Sequence, residues 1–367
     1  MMSFIQQLRL PIANLCEYVY LKLSPLLFQY PLLFSPIFLS YGLMCAFSSF
    51  IFLKLKSPRS QKSLEQRHQV PEIIAKLPED GTHFFFKTPK TNISLHLVSG
   101  SPLSISKDGP LLLFVHGFPE CWFSWRAQLD YFSKDYKCIA MNMRGYGESD
   151  APPAQSQYHI NHLISDVDDV IDAYGNGKCI LIGHDWGGLI AYAYAALQPN
   201  KVSKLIILNA PHPTAFGKIY VEHFKQFLNS WYIYFFKFPY LPEMFYRYKD
   251  FLILDLYYSS LKISKMSENE IDVYKYYFSK PGTLTAAINY YRANFPSILS
   301  NDYPVITSPA LLLWGCKDLA LVEDSASEKY LKPHIEQIKV VKNYSATHFL
   351  QQDDPNFVNE EIEKFIS

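Results

Sequence analysis

Asp185 stands where a short apolar run gives way to an alanine-rich stretch: Cys179-Ile-Leu-Ile-Gly183-His184-Asp185-Trp186-Gly187-Gly188, then Leu-Ile-Ala-Tyr-Ala-Tyr-Ala-Ala. The pattern predicts a buried strand, a tight turn and a helix, with Gly183 and Gly187 letting strand and helix approach closely. A carboxylate at such a bend projects beyond the strand end, near the positive end of the helix, which favours its ionised form. A serine there would attack an acyl carbon. A carboxylate instead displaces a leaving group from saturated carbon and becomes an ester of the protein itself. Water must then cleave that ester, so the expected substrate is an epoxide or an alkyl halide. The plainer role for Asp185 is to cap the helix that follows.

Three further segments supply partners for that chemistry. Leu111-Leu-Leu-Phe-Val-His116-Gly117-Phe118-Pro119-Glu120 ends a strand in a turn, which Pro119 suits through a cis bond. The backbone N–H groups of Phe118 and Trp186 would together hold a developing oxyanion. Asp318 follows the apolar run Leu311-Leu-Leu-Trp-Gly315, and His348 lies near the end in Tyr344-Ser-Ala-Thr-His348-Phe-Leu-Gln-Gln-Asp. Asp318 would orient the imidazole, and His348 would take a proton from the attacking water. Glu148, Asp150 and Asp353 read as solvated loop charges beside these.

The elements around the site form a pattern of short apolar strands alternating with helices. The expected strands are His83–Lys87, Ser94–Val98, Leu111–Val115, Lys137–Met141, Cys179–Ile182, Lys204–Leu208, Ala310–Trp314 and Ile338–Val341. All-apolar strands of this kind belong in a mostly parallel sheet covered by helices on both faces, with function at the carboxyl ends of the strands. The alternation breaks in residues 213–298, a stretch crowded with Tyr, Phe and Trp that reads as an inserted helical cap. The expected division is 1–54 tail and anchor, 55–80 polar linker, 81–212 first part of the core, 213–298 cap and 299–367 second part of the core.

The 367 residues are 49% hydrophobic and 19% charged, enough for a large core. With Lys+Arg and Asp+Glu at 34 each, nothing points to a nucleic-acid partner. The six cysteines show no metal-type or paired spacing, and Cys179 reads as a buried small hydrophobe. No charge occurs between Lys22 and Lys54, and the run from Ser35 to Leu53 is apolar over about the 20 residues a spanning helix needs. Ser35 suits the cap of that helix and Pro36 its first turn. Lys54, Lys56, Arg59 and Lys62 follow it, against Arg9 and Lys22 before it, a bias that favours a cytosolic catalytic domain. Sequons at Asn92 and Asn343 would be used only in a lumenal domain.

His116–Glu120, Arg144-Gly-Tyr-Gly-Glu-Ser149, Gly183–Gly188, Trp314–Asp318 and His348-Phe-Leu-Gln-Gln-Asp together resemble the epoxide hydrolases of the α/β-hydrolase superfamily, over roughly residues 80–367. The order nucleophile, acid, histidine is that superfamily's order. The apolar stretch ahead of the domain is similar to that of the membrane-bound animal members. Cys316 and Thr347 are small departures beside the acid and the base. The resemblance implies an α/β-hydrolase fold with an N-terminal transmembrane helix. It further implies hydrolysis of epoxides, lipid-derived ones such as epoxy fatty acids, to vicinal diols, with no metal or organic cofactor. The partners it implies are an apolar epoxide, water and a bilayer crossed once, at the endoplasmic reticulum. It also implies two cap tyrosines that hold the epoxide oxygen: Tyr291, marked by the Tyr291-Arg292 pair, and Tyr232, with Tyr290 and Tyr234 as close rivals. The chemical need is plain, since the opened ring leaves a poorly leaving alkoxide that phenol donors stabilise and protonate. A haloalkane or haloacid dehalogenase is the nearest alternative, although Phe118 stands where many of those enzymes place a halide-binding Asn. A non-catalytic membrane-bound protein of the same fold is the other. The missing elbow serine argues against a carboxylesterase.

Overall fold

The computed structural model describes residues 17–18, 20–22, 31–56, 67, 69–77, 81–100 and 110–367. Eight strands form one sheet: β1 (Thr82–Lys87), β2 (Ser94–Ser99), β3 (Leu111–Val115), β4 (Cys138–Met141), β5 (Cys179–His184), β6 (Val202–Leu208), β7 (Ala310–Gly315) and β8 (Ile338–Asn343). Their order is β1-β2-β4-β3-β5-β6-β7-β8. The β1–β2 and β2–β4 pairs are antiparallel and all later pairs are parallel. β3, β5 and β7 are buried at every position, as their unbroken apolar sequences require. Each expected strand is found, with ends shifted by one or two residues, the range over which strand ends fray.

The parallel register brings the strand ends that carry chemistry to one edge. Gly183 pairs with Val115 in β3 and with Ile207 in β6, so the Asp185 bend, the His116–Pro119 turn and Asn209 are neighbours. Between β6 and β7 the chain forms helices and connecting loops, with Pro213–Glu222, Phe224–Asn229, Trp231–Phe235, Leu241–Tyr258, Glu268–Ser279 and Thr283–Asn294 as its main pieces. Within Leu241–Tyr258 the backbone breaks at Tyr248, and Lys249, Asp250 and Phe251 take left-handed φ values of 47, 55 and 59°.

The N-terminal apolar stretch is a helix, Pro31–Lys54, that starts at Pro31 rather than Pro36. Pro31 supplies the φ that suits a first turn, and Pro36 inside the helix removes only one ladder donor. Pro36–Lys54 is long and apolar enough to cross a membrane. One side of the helix is nevertheless buried against the cap, at Phe38, Cys45, Ala46 and Leu53. Arg9, Arg59, Lys62 and the first cysteine, Cys16, lie outside the described residues.

Candidate active site

Asp185 sits at φ 51°, ψ −118°, a conformation a non-glycine residue holds only when its surroundings enforce it. The enforcement comes from Gly187. A Cβ at residue 187 would stand 2.1 Å from the Val115 carbonyl oxygen, so only glycine lets the helix press this close to β3. Gly117 is fitted for the same reason, since a Cβ there would lie 2.4 Å from Asp185 Cβ. The Asp185 side chain does not cap its own helix. Its Oδ1 accepts the Phe118 N–H at 2.8 Å. Its Oδ2 lies 3.6 Å from His348 Nε2. One carboxylate oxygen is thus fixed and the other faces the site.

His348 Nδ1 is 2.6 Å from Asp318 Oδ2, so the acid orients the ring. Asp318 is itself clamped: Asn209 Nδ2 donates to Oδ2 at 2.8 Å, and the Ala320 and Leu321 N–H groups donate to Oδ1. Burial alone would lower the His348 pKa, but the Asp318 charge, the nearby Asp185 carboxylate and the hydrogen bond that His348 donates to Asp318 raise it well above the ordinary value. Burial likewise pushes Asp185 up. The His348 hydrogen bond and charge, His184 and the Phe118 N–H outweigh that and leave it below the ordinary carboxylate value. The resting pair is an imidazolium beside a carboxylate. Their side chains keep 13% and 17% exposure, enough for water to reach them.

The turn at His116 is rigid. His116 Nε2 accepts the Met143 N–H at 3.2 Å and Nδ1 lies 2.8 Å from the Gly117 carbonyl. Burial lowers the His116 pKa to about 4, so the ring is neutral and donates from Nδ1. The Phe118–Pro119 bond is cis, as expected. Trp186, the second expected N–H donor, begins the elbow helix, and its ring packs on Tyr290, Tyr291 and Phe295.

The cap tyrosines are separated by their hydroxyl partners. Tyr290 donates to the Arg144 carbonyl at 2.8 Å, and Tyr234 accepts from Tyr220 at 2.9 Å, so both are occupied elsewhere. Tyr232 and Tyr291 pack edge to face at 5.8 Å. Burial raises both pKa values well above the usual phenol, with the Asp185 charge the next cause for each. They are therefore protonated and close enough to feel the carboxylate. Arg292 joins their two segments by donating to the Phe236 and Phe238 carbonyls while paired with Glu243. Phe118, whose N–H holds Asp185, packs against Phe236, Tyr246, Phe278 and Tyr291, so its surroundings are aromatic.

The α/β hydrolase fold family matches residues 110–355. Human epoxide hydrolase 4 is 37% identical over 354 residues, covering 91% of this chain and 93% of that protein. This chain belongs to the epoxide hydrolases. Epoxide hydrolase 3 of Xenopus tropicalis is 36% identical, covering 78% of each chain. Among solved structures, Bacillus megaterium epoxide hydrolase in complex with an inhibitor superposes with a TM-score of 0.67 at 26% identity, covering 77% of this chain and 99% of that one. An epoxide hydrolase from hot-environment metagenomes gives 0.68 at 30% identity, covering 78% and 98%.

Several residues of this epoxide hydrolase escaped the sequence reading. Glu120, fully buried, accepts the Gly117 N–H (3.1 Å) and His184 Nδ1 (2.7 Å) on one oxygen. Its other oxygen takes Gln351 Nε2 (2.9 Å) and Gln352 Nε2 (2.8 Å). His184 Nε2 in turn meets the His348 carbonyl at 2.8 Å. Turn, elbow and histidine loop are thereby tied into one unit. Asp353 is a correction: it is buried rather than solvated, because the Lys262, Ile263 and Thr347 N–H groups all donate to it. Glu148 and Asp150 are exposed, as expected, although Asp150 also accepts the Ser94 N–H. Cys179 is a buried thiol. Among the described residues no cluster of His, Cys, Asp and Glu is arranged to hold a metal ion.

Proposed function

We propose that this chain hydrolyses apolar, lipid-derived epoxides, such as epoxy fatty acids, to vicinal diols through an alkyl ester on Asp185. The observation that carries the reading is a carboxylate at the elbow beside two phenols, Tyr232 and Tyr291, whose hydroxyls have no hydrogen-bond partner among the described residues and which feel the Asp185 charge. Asp185 Oδ2 attacks an epoxide carbon while the phenols bind the ring oxygen, and one of them gives up its proton as the C–O bond breaks. Transfer of the His348 proton to that phenolate restores the phenol and leaves His348 neutral. Conversion of Asp185 to a neutral ester removes one of the charges that held the proton on His348, so the ring is released to act as a base at the right moment. His348 then takes a proton from water, hydroxide adds to Asp185 Cγ, and the oxyanion on Oδ1 is held by the Phe118 N–H, with Trp186 as second donor. Collapse expels the diol oxygen, which takes the carboxyl proton, and the resting ion pair is restored.

Membrane attachment through Pro31–Lys54 fits the same reading, with the catalytic domain on the cytosolic face of the endoplasmic reticulum and the substrate drawn from lipid. The test is incubation of the full chain with an epoxy fatty acid and a small aryl epoxide, with diols measured by mass spectrometry. Diol formation that vanishes in Asp185→Ala is expected. In His348→Gln the intact protein should gain the mass of one substrate. An Asp185→Ala protein with wild-type turnover would remove the mechanism.

A further inference from the structure

The helix Pro31–Lys54 is docked along the cap for most of its length. Phe38 stacks on Tyr234 at 4.9 Å, and Tyr41 stacks on Phe227 at 5.2 Å while donating to the Leu228 carbonyl. At Gly42 the backbones nearly touch: a Cβ would lie 2.8 Å from Phe235 N and 3.2 Å from the Trp231 carbonyl oxygen. Near the other end Phe50 packs on Tyr248, and Lys249 Nζ donates to the Lys54 and Lys56 carbonyls at 3.0 and 2.7 Å. Contacts from residue 38 to residue 56 span roughly 27 Å of chain at helical rise. The hydrocarbon core of a bilayer is about 30 Å thick. A docked helix that crossed the bilayer would therefore carry the cap segments it touches, from Phe227 to Phe235, through hydrocarbon, where the polar and charged groups of a cap surface, the exposed Lys225 among them, are strongly disfavoured.

The opposite side of the helix faces outward and is apolar. Ile37, Met44, Phe47, Ile51, Phe52 and Leu55 are all exposed, at spacings that align them along one face. Of the two serines on that side, Ser40 and Ser48, Ser48 bonds back to the Met44 carbonyl. A water-facing helix would carry charge there, and a protein interface would have a polar rim. This face has neither. Its charges come only at the end, where the Lys54 and Lys56 ammonium groups lie 5.3 Å from the Phe50 and Phe52 ring centres, the posture of lysines at an apolar–aqueous boundary.

We propose that Pro31–Lys54 lies in the plane of the membrane, with one side on the cap and the other in the acyl layer of a single leaflet. The amino terminus and the catalytic domain then share one side of the bilayer. The proposal rests on the membrane attachment proposed above and not on the catalytic scheme. It is tested with the full chain carrying different epitopes at its two ends, in sealed microsomes treated with protease with and without detergent. Both epitopes should be digested together, or protected together, in intact vesicles. Digestion of one and protection of the other overturns the in-plane helix while leaving attachment standing. Recovery of the wild-type chain in the soluble fraction overturns attachment and the in-plane helix alike. The occupant of the exposed face is read from Phe47→Glu, with Leu55→Glu as a second variant. Each should lower the membrane-bound fraction roughly tenfold, with hydrolysis of a small water-soluble epoxide retained. Variants that stay fully membrane-bound and instead fall apart from a dimer would assign that face to a second copy and overturn the proposal.

Discussion

Replacing Glu120 by Gln tests how the three site-bearing loops are held. The native carboxylate accepts four hydrogen bonds, two on each oxygen, at 2.7–3.1 Å. Glutamine keeps one oxygen and turns the other into a donor. Its least costly pose keeps the oxygen toward Gly117 and His184 and points the amide NH₂ at the two glutamines. Gln351 can rotate to offer its Oε1, which has no partner in the native structure. Gln352 cannot do so freely, because its Oε1 already accepts from Tyr274 and Arg126. Gln352 Nε2 and the Nε2 that Gln351 turns away are then two buried donors left unpaired, at about 1–3 kcal/mol each, and two charge-assisted bonds become neutral ones, at about 1 kcal/mol together. The sum is about 5 kcal/mol, which for a domain of this size lowers Tm by roughly 10–20 °C. Glu120→Ala strands all four donors and should cost more. The assay is thermal unfolding of the detergent-solubilised protein, followed by the fluorescence of the buried Trp122, Trp125, Trp186 and Trp314. A Glu120→Gln protein melting within about 2 °C of wild type, or an Ala variant no worse than Gln, would show that the carboxylate is not the hub described.

Three further outcomes are expected. Tyr232→Phe and Tyr291→Phe should each slow alkylation of Asp185 by about 10²–10³, the usual cost of one lost oxyanion donor, while hydrolysis of a preformed ester changes little; single-turnover kinetics separates the two steps, and equal slowing of both would refute the assignment. His348 has its pKa raised by folding, so its contribution to stability is complete below its unfolded value of about 6.5 and is lost as pH rises through the folded value. The Tm gap between wild type and His348→Gln should accordingly be widest in mild acid and shrink in alkali, and a gap that widens with pH would contradict the ion pair. Gly187→Ala drives a methyl group into the Val115 carbonyl, where only backbone can yield, and should cost more than about 3 kcal/mol in chemical denaturation; near-wild-type stability would mean the elbow is looser than drawn.

The elbow and the His348 loop were legible because close backbone approach and strain demand particular residues at fixed short spacings. Gly183, Asp185 and Gly187 are such a set. The choice between Tyr232 and Tyr234 was not legible, since two aromatic residues two positions apart look alike until the Tyr220 hydroxyl engages one of them. The role of Glu120 was hidden for a different reason: apart from the Gly117 N–H, its partners lie 64 and more than 200 residues away, beyond the reach of any local pattern. Asp353 looked solvated because a carboxylate near a turn usually is, and the cap backbone that buries it comes from residues 262–263. The helix at Pro31–Lys54 was legible as apolar, but uniform hydropathy carries no information about which side meets protein.

Arg67 bears on any attempt to prepare a shortened enzyme. It is buried, and its guanidinium bridges Asp250, in the left-handed turn of the cap, and Asp272 on the neighbouring cap helix. Trimming the chain to begin at residue 81, a natural choice for solubility, takes this cation away from both carboxylates. Such a preparation would keep Asp185, His348, Asp318 and the two cap tyrosines. Its cap would nonetheless lose the bridge that ties the left-handed turn to the neighbouring helix, and a low turnover measured on it would describe the truncation, not the enzyme.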